Sequence, residues 1–476
     1  MNFNCVKKID KDYIKHLYFV FDGDEKYPEF LNATNKKIIA KNPTFKKMEN
    51  KLGKVYDFGF TQDNRSVNLS LVCLGDKKTF DNNKLREILY TNLSNLTGDV
   101  LVEFSDKCAE NFNIIAEEIE HINYRFDKYL SEKNKEKLNV DVCTAAKKPT
   151  KLEGYELAKI SNIVKDLINE HSEVMTPKRL SERAKEIGKE FGFNVKVFDE
   201  KSIEKFGMKA YLSVARAAHH RPYLIVMSYN GDAKSKYRYG LVGKGLTYDT
   251  GGLSLKPTDG MLAMKSDMGG SATMIGAMAA ISKMKIKKNV VAVVAACENS
   301  IGPNAYRPGD VVETMNGKTI EINNTDAEGR VTLADALTYI IRKEKVDEII
   351  DAATLTGAIM IALGEDLTGL FTNDDKFADE FMKNSKEWKE EFWKMPMLDS
   401  FKRYLKSEIA DMQNTGGRMG GSISAAKFLE EFVEDKKWIH LDIAGTAFSS
   451  GSKYYKKGAT GEVFRTIYSY IKNNKN

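Results

Sequence analysis

Apolar and polar positions fall into two textures along this chain. In the first third, short apolar runs alternate with polar stretches of helical spacing. Ser66 to Gly75 (SVNLSLVCLG) reads as a strand ending on a glycine. Asn82 to Asn95 has apolar positions spaced near ~3.6 residues, which predicts a helix. This is α/β texture without a concentration of reactive side chains. From Ser131 to Lys151 the chain turns rich in Lys, Asn and Thr, which predicts an exposed connector and a domain boundary near residue 150.

The remainder is denser in strand-then-helix units. Buried strands are predicted at Tyr223 to Ser228, Tyr239 to Val242, Val290 to Cys297, Glu348 to Asp351 and Trp438 to Ile443. Helices are predicted at Ser271 to Lys285, Leu333 to Lys345 and Ile423 to Val433. Apolar strands without clean alternation, separated by amphipathic helices, indicate a mixed sheet covered on both faces. The expected fold is therefore α/β in two domains, residues 1–150 and 151–476. Ligands in such folds bind beyond the carboxyl ends of strands. The unusual polar residues cluster there, after Val242, Ile322 and Asp351.

Composition narrows the class. A chain of 476 residues exceeds one ordinary hydrophobic core, and its plentiful aromatic residues argue against disorder. No apolar run approaches the ~20 residues that span a bilayer, so no membrane partner is expected. The first residues lack the pattern of a signal peptide. The formal charge of +6 is spread along the chain, and runs such as Lys283 to Lys288 read as solvated surface, so a nucleic-acid partner is not expected. Cys5, Cys73, Cys108, Cys143 and Cys297 are odd in number and widely spaced, against a disulfide framework or a cysteine zinc site. A reduced, cytoplasmic compartment is the expectation.

Candidate chemistry sits in three clusters. In Asn323 to Arg330 (NNTDAEGR), an extended backbone would put Asp326, Glu328 and Arg330 on one face. Taken alone, the octapeptide is equally a solvated loop with a local ion pair. Gly243 to Gly252 (GKGLTYDTGG) follows a predicted strand, with glycines that permit close backbone approach, and Lys256 comes soon after. Met264 to Gly270 (MKSDMGG) places Asp267 just before a helix, where a bland role as its cap is open. Together these give Asp249, Asp267, Asp326 and Glu328 with two lysines and an arginine. Four acids balance two divalent cations, a composition that suits a two-metal site with oxygen ligands. There is no H-E-x-x-H, and the six histidines are scattered; the adjacent His219 and His220 read as a surface or interface pair.

These segments resemble the leucyl aminopeptidase (cytosol aminopeptidase) family. Asn324 to Val331 matches its N-T-D-A-E-G-R-L signature with Val at the last position, Val242 to Pro257 matches VGKGxTxDxGGxxxKP, and Met264 to Gly270 matches MKxDMxG. Further similar stretches are Asn123 to Tyr129, Thr354 to Ala358, Asn414 to Arg418, His440 to Ala447 and Lys457 to Gly461. The resemblance is strong from about Tyr155 onward and weak before it. It implies a di-metal aminopeptidase that removes the first residue of peptides, with a metal-bridging water attacking the carbonyl. It implies two divalent ions per chain, zinc or manganese. Lys244, Asp249, Asp267 and Glu328 would surround one, while Asp249, Asp326 and Glu328 would hold the other. Lys256 would support the substrate carbonyl, and Arg330 would hold a bicarbonate or carbonate ion that shuttles protons. It further implies an N-terminal macro-like α/β domain and a homohexamer. Met264, near the site in the resemblance, suggests an apolar pocket for the first side chain. The family's N-P-P-N segment is replaced by Asn169-Glu170-His171-Ser172.

Two rival readings are weaker. A phosphate loop requires G-x-x-x-x-G-K-[ST], whereas Lys244 is followed by glycine and residue 238 is Arg. A pure DNA-binding relative has no need of the complete set of acids, Lys256 and Arg330.

Overall fold

In the computed structural model, six strands of the first part of the chain form one sheet: β1 (Phe3–Val6), β2 (Lys15–Phe21), β3 (Val55–Gln62), β4 (Arg65–Gly75), β5 (Gly98–Phe104) and β6 (Leu138–Cys143). Their order is β1-β6-β5-β2-β4-β3, parallel except for the antiparallel β3–β4 pair. That hairpin turns on Asp63 and Asn64, both at positive φ (52° and 61°), the conformation a two-residue type I′ turn requires. Tyr18, Val20, Leu69, Leu71 and Cys73 pack beneath Leu31, Ile39 and Phe45 on one side of the sheet. All residues are described except 1, 8, 10, 25, 26, 29, 47–50, 134, 135 and 453.

The expected connector from Ser131 to Lys151 holds a surprise, apart from residues 134 and 135, which lie outside the described residues. It contains β6, an interior strand paired to β1 and β5. Its polarity hid it. Asp141 points inward yet is satisfied by Lys11 at 2.9 Å, the Tyr13 hydroxyl at 2.9 Å and the Asn4 amide at 3.2 Å. The chain divides instead within the helix Glu153–Asn169, into units Met1–Asn162 and Ile163–Asn476.

The second unit is built on eight strands: β7 (Asn194–Phe198), β8 (Tyr223–Asn230), β9 (Arg238–Asp249), β10 (Asn289–Asn299), then, after the short β11 (Val311–Glu313) and β12 (Thr319–Glu321), β13 (Glu348–Ala353), β14 (Thr368–Thr372), β15 (Phe392–Lys394) and, after β16 (Met412–Gln413), β17 (Lys437–Asp442). The order is β15-β14-β17-β13-β9-β10-β8-β7. β17, β13, β9 and β10 run parallel, and β14 and β8 are antiparallel to their inner neighbours. This is the mixed sheet expected from the apolar runs. β10 is buried along its whole length, and the helices Gly269–Lys283 and Glu328–Arg342 are buried nearly all round. Such strands and helices belong to a covered, layered core. Among the described residues no helix is long and apolar enough to cross a membrane.

β9 is longer than predicted. It continues through Lys244 to Asp249 because β10 pairs with it past a register shift near its end. Lys244 thus lies within a strand, not after one. The glycines on either side allow the layers to close. A side chain at Gly243 would meet the Gly270 carbonyl at 2.7 Å, and one at Gly270 would meet that of Ala352 at 2.0 Å.

Candidate metal centre

Four parallel strands end side by side, and the charged motifs collect at those carboxyl ends. Lys244 and Asp249 come from β9. Asp267 immediately precedes the helix Gly269–Lys283, and Asp326 and Glu328 arrive on the loop from β12. That loop is not extended. The Asn324 side chain accepts from Asp326 N at 2.8 Å, and the Asn324 carbonyl accepts from Ala327 N at 3.3 Å, so the chain turns and Glu328 begins a helix. Residues two apart on a helix do not share a face. The predicted single face for Asp326, Glu328 and Arg330 is therefore corrected. The local Asn-led turn wins over an extended run.

The Lys244 ammonium lies 2.8 Å from Asp267 Oδ1 and 2.9 Å from Glu328 Oε1. Lys256 lies 2.9 Å from Asp249 Oδ2 and 2.6 Å from Asp326 Oδ1. Carboxylate oxygens of Asp249, Asp326 and Glu328 all fall within 4.8 Å of one another. Gly251 and Gly252, at φ of 84° and 62°, turn the chain tightly after Asp249. The backbone N–H of Gly251 and the Asn299 amide both donate to Asp249 Oδ1 at 2.8 Å. At Gly329 an added Cβ would stand 2.6 Å from Lys244 Cε and would push the tip of that lysine aside. Asp267 does not cap the helix behind it. It accepts instead from the Thr354 hydroxyl at 2.8 Å.

Charge is out of balance here. Four buried or half-buried carboxylates face two lysines. Burial and the neighbouring Asp249 push Glu328 up to about 8, and burial pushes Asp267 up to about 6 despite Lys244. Burial would lower Lys244, but Asp267, Glu328 and Asp249 outweigh it and hold the ammonium above the ordinary lysine value. Asp267 Oδ2 and Glu328 Oε2 are buried without a hydrogen-bond partner. Orphaned acceptors and surplus negative charge at clustered oxygens fit divalent cations, which supply the missing charge.

Arg330 points elsewhere. Its Nη1 donates to the Asn414 carbonyl at 2.8 Å, while its buried Nε has no partner. Burial lowers it to about 10, with Glu328 and Asp442 opposing. His220 is half-buried and meets Glu298 at 2.9 Å.

Residues 162–468 match the model of the cytosol aminopeptidase family, catalytic domain. The chain belongs to that family. It is 60% identical to the "Probable cytosol aminopeptidase" of Fusobacterium nucleatum, with all of both chains covered. The protein of that name from Aquifex aeolicus is 42% identical over 95% of this chain and 94% of its own. Among solved structures, a tomato leucine aminopeptidase mutant superposes with a TM-score of 0.84 at 31% identity, covering 99% of this chain and 96% of that one. The bottromycin maturation enzyme BotP in complex with Mn gives 0.84 at 29% identity, covering 96% and 99%. The protein is accordingly a metallo-aminopeptidase that removes residues from the N-termini of peptides, and its chemistry uses divalent metal.

Three residues bonded to the charged cluster or to the turns around it escape individual notice in the sequence. Asn299 ends the fully buried β10, bonds Asp249 and bonds the Thr325 carbonyl at 2.9 Å. Asn414 carries Arg330, and Asp442 ends β17. The available signal was a polar residue closing an otherwise apolar strand, which marks Asn299 and Asp442. Asn414 had no such mark beyond its place in a family-like stretch.

Proposed function

We propose that this family member is a two-metal aminopeptidase whose site is held by Lys244, Asp249, Asp267, Asp326 and Glu328. The observation that carries this is the pair of orphaned carboxylate oxygens within a cluster of uncompensated acids. Lys244, Asp249, Asp267 and Glu328 would surround one ion, and Asp249, Asp326 and Glu328 the other. Two bound cations, zinc or manganese, supply a Lewis acid for the peptide carbonyl and an activated water. Lys244 serves as a ligand only as the neutral amine, so metal uptake releases its proton. Lys256 keeps its charge, because Asp249 and the other acids outweigh its burial. It is the most open of the site's two lysines and is placed to donate to the substrate carbonyl as negative charge develops there. Arg330 would hold a bicarbonate ion, a group that would supply a base to the site. In support, its guanidinium is buried and, among the described residues, its hydrogen bond is to a carbonyl while Nε has no partner.

Substrates are peptides with apolar first residues, and Met264 lines their pocket. The assembly is a homohexamer in the cytoplasm. Ile361, Leu262 and Met419, at 91%, 81% and 74% exposed in a single chain, are large apolar side chains of the kind an assembly covers.

The deciding experiment removes metal with a chelator, counts ions by mass spectrometry and assays a panel of aminoacyl amides. Activity should vanish and return with two ions per chain, highest on leucyl and methionyl substrates. Full activity in metal-free protein would sink the reading.

A further inference from the structure

Thr354, Leu355 and Thr356 form the turn between β13 and the helix Gly357–Leu363. Thr354 touches two of the proposed ligands at once. Its carbonyl accepts from Lys244 Nζ at 3.1 Å, and its hydroxyl donates to Asp267 Oδ1 at 2.8 Å. The same turn is gripped from the neighbouring strand. Asp442, in register with Ala353 at the end of β17, accepts from Leu355 N at 3.1 Å, Thr356 N at 3.4 Å and Ala444 N at 3.3 Å through Oδ1. Its Oδ2 accepts from the Thr356 hydroxyl at 2.6 Å.

Helix capping does not account for this carboxylate. Thr356 is itself the cap, accepting from Ile359 N at 3.1 Å. Asp442 is 1% exposed, and burial raises its carboxyl above the ordinary aspartate value. Burying a carboxylate that is bonded mainly to backbone amides is costly, and an uncharged residue would suffice to pack a strand end. What Asp442 adds is a rigid link between β17 and the turn that carries Thr354.

We propose that Asp442 is a positioning residue of the metal centre: it fixes the Thr354–Thr356 turn so that Thr354 aims Lys244 and Asp267 at a shared cation. This rests on the two-metal reading. It adds an outer layer to one of the two sites, the one built on Lys244 and Asp267. Partners of this kind typically change metal affinity about 10–100-fold.

The test titrates full-length, metal-free protein with Mn²⁺ in wild type, Asp442→Ala, Asp442→Asn and Thr354→Val, with thermal melting beside each titration. Wild type should bind two ions. Asp442→Ala should weaken one site about 10–100-fold and leave the other near normal, with turnover restored in part by excess Mn²⁺. Asp442→Asn, which keeps an oxygen for the Leu355 and Thr356 amides, should fall between. Thr354→Val leaves every Asp442 bond in place and should still weaken the same site without lowering the melting temperature. That variant decides the matter if Asp442→Ala fails to fold. Wild-type affinity at both sites in Thr354→Val, or in a folded Asp442→Ala, overturns the proposal and leaves Asp442 a structural staple. A wild type that binds no Mn²⁺ overturns the metal-centre reading instead.

Discussion

In the amino-terminal unit, Arg86 and Glu117 lie about 2% exposed with their guanidinium and carboxylate 2.8 Å apart, and Lys11 bridges Asp99 and Asp141 at 2.7 and 2.9 Å. In the carboxy-terminal unit, two lysines serve four carboxylates, and buried oxygens of Asp267 and Glu328 are left over. Both regions bury charge on an α/β frame. Among the described residues, only the second brings oxygens of three acids, Asp249, Asp326 and Glu328, within 4.8 Å of one another. Buried charge by itself therefore does not mark a catalytic centre, since buried ion pairs also occur in plain cores. Convergence of several acids on one point does, because something outside the chain must complete it.

The first way to break that contrast is to remove the cation from the first unit's buried cluster. Arg86→Met should strand the Glu117 carboxylate and cost about 3–5 kcal/mol. Hydrogen exchange should show the loss in the helices Asn82–Leu93 and Phe112–Asn123, with metal content unchanged. An equal loss of metal would mean that the two charge systems are not independent. Nearly as large an effect is expected from the second unit's lysines, which differ in duty. Lys256→Ala should retain both metals and lose about 10²–10³ in turnover, as for one oxyanion donor. Lys244→Ala should lose affinity at one metal site, with activity partly recovered in excess metal. Metal stoichiometry reverses these roles if Lys256→Ala is the variant that empties.

Arg330→Ala comes next, with turnover down about 10²-fold and both ions kept. Loss of both metals there would contradict its assignment to an anion. The smallest effect, invisible at neutral pH, concerns His16, which is buried in the first sheet and held down to about 3 by desolvation. Its folded value lies below the ~6.5 of an unfolded histidine. Its stability contribution is thus whole above ~6.5 and is lost as pH falls toward 3, because only the unfolded chain takes up the proton. His16→Phe should flatten the acid limb of hydrogen-exchange stability in β2. Superimposable limbs in the two proteins would refute this.

Much of this was legible in the residues. Apolar runs located β8, β10, β13 and β17 to within two residues at each end, and the glycine-spaced motifs held every charged group of the centre. What could not be read depended on partners distant in sequence. β6 passed for a linker because its inward Asp141 is satisfied by Lys11 and Tyr13, which no local pattern reveals. β9 ran on through Lys244 because β10 offers it a register. Asn323 to Arg330 imitates a strand through its alternation of charge, whereas the Asn324 side chain closes a turn. Asn299 and Asp442 act through hydrogen bonds to residues 50 and more than 80 positions away.

The place of β17 has a consequence for how the molecule is made. It is inserted between β13 and β14, yet it is synthesised after both and after β15. On the ribosome, β13 and β14 each wait with an open edge, the condition that invites pairing with a stranger. Asp351 waits with them, since its two side-chain partners, Trp438 at 2.5 Å and His440 at 2.6 Å, both ride on the missing strand. The nascent chain therefore carries every charged residue of the centre well before it owns the frame to mount them. Closure of the last central strand pairs both waiting edges and gives Asp351 its partners at the same time.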